Sequence, residues 1–342
     1  MKEKTSGVFL DRQRHVGDPD ADNLFAEMVS KKKLSDFHKT LSLSEKELHL
    51  LNTDQPMKAF ILGKRAEPEW VDDSRVLRGQ EIFDNHAFPI MTLLGLMSLP
   101  YCYAASPGNK ALFMAEKMRQ SPAKRITDTA QFTIDVLKPG NLQSNRYGFV
   151  QIRKTRLIHA MARHYISKAE WNQDWGVPIN QEDMAGTNLA FSYIILVGLQ
   201  SFGVMLSMKE KEDFIFTWKY IGYQLGINEK LLPDSFKEAE MLTEVIKRRH
   251  FKKTEEGVIL TQELVKYLET VVPQRQAYFV KAQIKYFLGR EVAGYLGLPD
   301  NRIKDKIIEA TNSVKEIQNF FTIPKKSLNL LFENYKNESR GR

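Results

Sequence analysis

SPAKRITDTAQFTIDVLKPG (residues 121–140) and RKTRLIHAMARHYISKAEWNQDWGVPINQED (residues 153–183) decide how this chain folds. Ser121 ahead of Pro122 marks a helix start, and Lys138-Pro139-Gly140 marks its stop. Between them Ile126, Ala130, Thr133, Ile134 and Leu137 fall on one stripe. The neighbouring stripe holds Arg125, Thr129, Phe132 and Val136 with Asp128 at its edge, which suits the wall of an apolar pocket carrying a few polar groups. A surface pair between Arg125 and Asp128 is the structural alternative. The second piece reads as a helix from about Gly148 to Ala169. Ile152, Arg156, His159, Ala162, Arg163 and Ile166 share one face of it, while Arg153 and His164 point away.

Outward from this centre the pattern stays helical. Apolar residues recur at three and four, without the alternation of half-buried strands, so the class is all-α. Helix signals begin at Asp22–Val29, and Ser44 with Glu47 forms a capping-box pattern. Asn180 with Asp183 starts a long apolar helix, and further helices are expected near 208–226, 235–251, 261–271, 273–296 and 302–317. The uncharged run Met184–Leu206 is long enough to cross a membrane, but its Thr, Asn, Ser and Gln residues favour a buried central helix. Ala87–Asn109 is uncharged too, and Pro89, Pro100 and Pro107 are expected to break it. No stable membrane span is therefore expected.

With 342 residues, 42% hydrophobic, 20 Phe and 12 Tyr, the chain can bury a large core, and no Gly/Ser-rich linker divides it. The single cysteine, Cys102, excludes an intramolecular disulfide and a thiolate-rich metal site, and it fits a reducing compartment. The N-terminus has no continuous apolar segment of the secretory type, so a cytoplasmic location is expected. The net charge of +8 includes the cluster Lys247–Lys253, which no nucleic-acid motif accompanies; it reads as a solvated helix end, and no nucleic-acid partner is expected.

His159 between Arg156 and Arg163 is a geometry that suits a haem, with the imidazole on the iron and the guanidinium forks on the propionates. A lone helical histidine is also commonly a hydrogen-bonded core residue. Cys-x-x-Cys-His is lacking, which excludes a c-type haem attachment.

Arg156-Leu157-Ile158-His159-Ala160, Trp171, Trp175-Gly176-Val177-Pro178, Gln181 and Asp183, preceded by Arg125 and Thr129, resemble the latex-clearing protein (rubber oxygenase) and MpaB-type oxygenase family. Asp18-Pro19-Asp20-Ala21-Asp22, Arg78-Gly79-Gln80, Ser98-Leu99-Pro100 with Tyr103-Ala104, and Leu296-Gly297-Leu298-Pro299 extend the likeness over roughly residues 10–300. The resemblance implies a single large globin-like helical domain around a haem pocket, with a C-terminal helical extension over 301–342. It makes His159 the proximal iron ligand, Arg125 and Thr129 the distal pair, and Arg156, Arg163, Phe132, Ile152 and Ile166 the cofactor-binding set, with Arg290 a further propionate candidate. It implies a b-type haem (haem b) as cofactor and an O2-dependent oxidation of a lipophilic, unsaturated, isoprenoid-like substrate. The chain departs from the family at two places. Asp128 stands where the rubber-cleaving members carry a distal lysine, and Asn109 stands, by spacing, where they carry a glutamate base. Asp128 is the expected substitute base if burial raises its pKa. Two alternatives stay open: a haem protein with a peroxidase-like or sensing role, and a non-enzymatic helical binding module.

Overall fold

The computed structural model describes residues 4–50, 56–63, 67–119, 122–142, 147–272 and 274–299. Among these residues the regular structure is helical, and the β-type pairing is one isolated antiparallel bridge between Ala105 and Phe251. The N-terminal part holds α1 (Gly7–Gln13), α2 (Pro19–Ser30), α3 (Leu34–Ser42), α4 (Glu45–Leu50) and α5 (Pro56–Leu62). The middle holds α6 (Asp73–Asn85), α7 (Ala87–Leu93), α8 (Leu99–Ala104), α9 (Gly108–Arg119), α10 (Pro122–Leu137) and α11 (Tyr147–Lys168). There follow α12 (Gln181–Phe191), α13 (Tyr193–Ser201), α14 (Met208–Gln224), α15 (Phe236–His250), α16 (Glu255–Val271), α17 (Gln274–Ala277) and α18 (Val280–Tyr295).

Side chains set most of these starts by satisfying helix-end N–H groups. Asp72 accepts from Ser74 and Arg75, Asn180 accepts from Asp183 at 3.0 Å, and Ser235 accepts from Glu238 at 3.1 Å. Ser44 with Glu47 and Ser207 with Glu210 each close a reciprocal pair of bonds. The expected helix near 261 begins earlier, at Glu255, because Thr254 caps it by accepting from Gly257 at 3.1 Å.

Three expectations are corrected. The long apolar helix after Asn180 is two helices, since Ser192 leaves helical geometry (φ −111, ψ −81) between α12 and α13. The helix expected over 273–296 likewise divides into α17 and α18. Conversely, Pro89 and Pro100 do not break the uncharged run. Pro89 sits in the first turn of α7, where its missing N–H is no loss, and a π-helical turn over Leu94–Ser98 precedes Pro100, so Ala87–Ala104 is one helical stretch. That stretch is long and apolar enough to cross a membrane, and 61% of it is buried inside the protein. Ser121, the helix expected at 302–317 and the extension over 301–342 lie outside the described residues.

The main core gathers on α13, where Ile194, Ile195, Leu196 and Leu199 are buried among α7, α12 and α15 residues. A second cluster joins α2, α3 and α5 to Val150, Leu157 and Ala160 of α11. Gly79 lets α6 lie close along α14, because a Cβ there would stand 2.7 Å from the Asp213 carbonyl oxygen. Asp213 in turn accepts from Arg75 (2.9 Å) and Arg78 (2.6 Å), locking the pair of helices.

Candidate active site

α10 packs against α11, α9 and α16, and α8 packs against α9 and α16, so these five helices meet around one region. Arg125, Thr129 and Phe132 of α10 and His159 of α11 are all half-buried. Arg125 is fixed from two sides. Its Nε donates to Glu116 Oε1 of α9, its Nη2 donates to the Tyr103 hydroxyl of α8 at 2.6 Å, and the guanidinium lies 5.5 Å from the Tyr103 ring centroid. Burial works against the Arg125 charge, but Tyr103 and Glu116 outweigh it and raise its pKa. Burial also pushes the Tyr103 phenol up, so Tyr103 stays a neutral hydroxyl beside a permanent cation. Thr129 donates to the Arg125 carbonyl at 2.9 Å, leaving only lone pairs of its hydroxyl for another partner.

Cys102, next to Tyr103 on α8, is half-buried, and burial pushes its thiol up to about 12 against the opposing pull of the Arg125 charge, so it stays a neutral thiol beside the clamp.

On α11 the expected face forms, but its arginines have other partners. Arg156 donates from Nε and Nη2 to the two Asp18 oxygens, both at 2.7 Å, and from Nη2 to Asp20 at 3.3 Å. Arg163 donates from Nε to Asp22 at 2.7 Å and from Nη1 to the Ile179 carbonyl at 3.1 Å. The expectation that both forks face propionates is corrected for Arg156, whose Nε and Nη2 are held by Asp18. Arg163 differs, because its Nη2 is buried without a partner. Ile152 and Ile166 are fully buried, one in the main core and one against Ala111, Ala162 and Trp171, so neighbours close them off from a cofactor. Phe132 is half-buried against the main core, and Arg290 is exposed on α18.

Asp128 is not the substitute base expected from burial. It pairs with Lys124 on the outer side of α10 at 3.1 Å, and 36% of its side chain is exposed. The surface pair weighed for it with Arg125 does not form either. Glu116 is the carboxylate the sequence reading missed. Counting back from Arg125 reached Asn109, whose Nδ2 donates to the Tyr103 carbonyl (2.8 Å) and to Thr254 (2.7 Å). Glu116 follows two helical turns later on the same face of α9, a periodicity that could have located it.

Among the described residues no three His, Cys, Asp or Glu side chains cluster to chelate a metal. The single imidazole of His159 therefore suits a metal that arrives already chelated, and the orphaned Arg163 Nη2, one turn further along α11, suits an anionic edge of the same group. On these grounds the residues fit a haem.

A helical fold in which α10 carries an arginine clamped by α8 and α9, and the adjoining α11 carries His159, defines an all-α protein with a candidate site among these helices. The chain belongs to the family of the ER-bound oxygenase mpaB/B' and rubber oxygenase catalytic domains, whose model matches residues 89–310. A solved structure of latex clearing protein LCP in the closed state is similar to it, with a TM-score of 0.74 at 20% identity, covering 96% of this chain and 91% of that one. At that identity the likeness speaks for the fold. No curated protein matches the chain.

Proposed function

We propose that this protein is a b-type haem-dependent oxygenase acting with O2 on a lipophilic, unsaturated, isoprenoid-like substrate. The observation that carries the reading is the Arg125 guanidinium, held between Glu116 and Tyr103, in a chain of an oxygenase family. The name of the structural neighbour, a latex clearing protein, supports a lipophilic substrate. Haem, when bound, would supply a redox-active iron at which O2 is activated. His159 would hold the iron, and Arg163 would pair with a propionate through Nη2, while Arg156 stays on Asp18. Arg125 places a fixed positive charge where negative charge develops on oxygen. Glu116 keeps that charge oriented and is the carboxylate beside it, so it takes the proton-accepting role first assigned to Asp128. Thr129, its proton spent on the Arg125 carbonyl, offers lone pairs to a water or hydroxyl.

The test is the visible spectrum of the purified protein, as isolated and after dithionite and CO. A Soret band that shifts with CO, is lost in His159→Ala and is kept with altered CO affinity in Arg125→Ala is the expected result. No Soret band after haem reconstitution, or full haem stoichiometry in His159→Ala, overturns the reading.

A further inference from the structure

The stretch that joins α13 to α14 reads Phe202-Gly203-Val204-Met205-Leu206-Ser207-Met208, a connection without a charged side chain where polar residues are the rule. Two of its side chains project into solvent: Met205 is 77% exposed and Met208 60%. Among the described residues no other two exposed large hydrophobic side chains stand within three positions of each other in the chain. Apolar residues scattered singly over a surface need no explanation, but a pair on one turn does.

The turn is fixed at both ends. Phe202 is buried and stacks on Phe287 of α18 with ring centroids 5.8 Å apart, and Val204 and Leu206 pack against the main core. Gly203, at φ +77, closes α13, with the Val204 N–H donating to the Leu199 carbonyl at 2.9 Å. On the other side Ser207 and Glu210 close the capping box that starts α14. With residues 202, 204 and 206 turned to the core, Met205 and Met208 are held outward.

The surroundings decide what the two thioethers meet. A stable pair of proteins covers about 800 Å² on each side, and two side chains on one turn fall far short of that. A lipid surface asks for no matching shape, and the unbranched, polarizable methionine adapts to it. Next along the chain stand Lys209, Glu210, Lys211 and Glu212, whose charges cancel. Glu210 is turned back onto the Ser207 N–H and Glu212 onto the Phe236 N–H at 3.1 Å, while Lys209 is exposed and free to extend toward a lipid phosphate. We propose that the α13–α14 turn dips Met205 and Met208 into the interface of a lipid bilayer, as a reversible surface contact and not a span. This goes beyond the oxygenase reading and does not need it. Where that reading also holds, the contact brings the protein to the phase in which a lipophilic substrate dissolves.

The experiment is co-flotation of the full chain with phosphatidylcholine vesicles, for the wild type and for Met205→Ser/Met208→Ser, at low and high salt. Burying what the two side chains now expose is worth at least about thirtyfold in partitioning, so the double variant is expected to bind about thirtyfold more weakly, with little effect of salt on the wild type. Both residues are exposed, so the fold is expected to survive, and far-UV circular dichroism checks it. As a second measurement, Met205→Cys carrying a polarity-sensitive dye is expected to shift its emission to the blue when vesicles are added. The Cys102 thiol, pushed up to about 12, stays unlabelled at pH 7. Equal binding of wild type and double variant, no binding by the wild type, binding that needs anionic lipid and vanishes in salt, or methionine-dependent self-association without lipid overturns the proposal. The salt-sensitive outcome would point instead to the Lys247–Lys253 cluster. Vesicle binding that needs the two methionines, in a protein that takes up no haem, sinks the oxygenase reading and leaves the contact standing.

Discussion

Removing the Asp18 carboxylate separates a structural role for Arg156 from a cofactor role. Arg156 and Asp18 form a bidentate pair, both bonds 2.7 Å, with side chains only 5% and 3% exposed. Taking one partner from such a buried pair leaves an uncompensated charge, at a cost of about 3–5 kcal/mol. Asp18 also caps α2 through a 3.4 Å bond from Ala21, worth a further ~0.5 kcal/mol at that length. Asp20, 3.3 Å from the same guanidinium but 74% exposed, returns roughly 0–1 kcal/mol. Asp18→Ala should therefore lose about 3–5 kcal/mol, and Asp20→Ala less than about 1 kcal/mol. Urea unfolding of the haem-free protein, followed by far-UV circular dichroism, measures both without ligand linkage. Replacing Arg156 by Met in the Asp18→Ala background should recover much of the loss, because an apolar side chain needs no counter-charge. A loss for Asp18→Ala within ~0.5 kcal/mol of zero, or equal to that of Asp20→Ala, would refute the reasoning and return the Arg156 fork to the propionates.

Three other outcomes are expected. Gly79→Ala should destabilise by about 1–3 kcal/mol, since its methyl meets the Asp213 carbonyl oxygen at 2.7 Å on a packed helix; unchanged urea midpoints would contradict this. Glu182 is fully buried, which alone would raise its pKa, but His250 and Arg249 hold it below the usual carboxylate value. Its contribution is thus full above the unfolded pKa of about 4.3 and lost as pH falls below it, so Glu182→Gln should flatten the acid limb of a stability–pH curve. Cys102, with its thiol pushed up to about 12 from 9.0, should alkylate at pH 8 about a thousandfold more slowly in the native state than in urea. Comparable rates would show that its accessible surface opens to bulk water.

What the sequence made legible is what short-range chemistry decides. Pro122 and the Lys138-Pro139-Gly140 stop bracket α10 because proline and glycine act within a turn, and Asn180 caps α12 for the same reason. The shared face of Arg156, His159 and Arg163 follows from the 3.6-residue period alone. The destination of the two guanidinium groups does not, because the competing acids, Asp18 and Asp22, arrive from a helix far earlier in the chain. An arginine fork accepts a carboxylate as readily as a propionate, so sequence spacing cannot choose between them. The same limit explains Glu116. Linear distance from Arg125 pointed to Asn109, whereas the fold needs only that the acid stand on the face of α9 that meets α10, and two turns along that face it does.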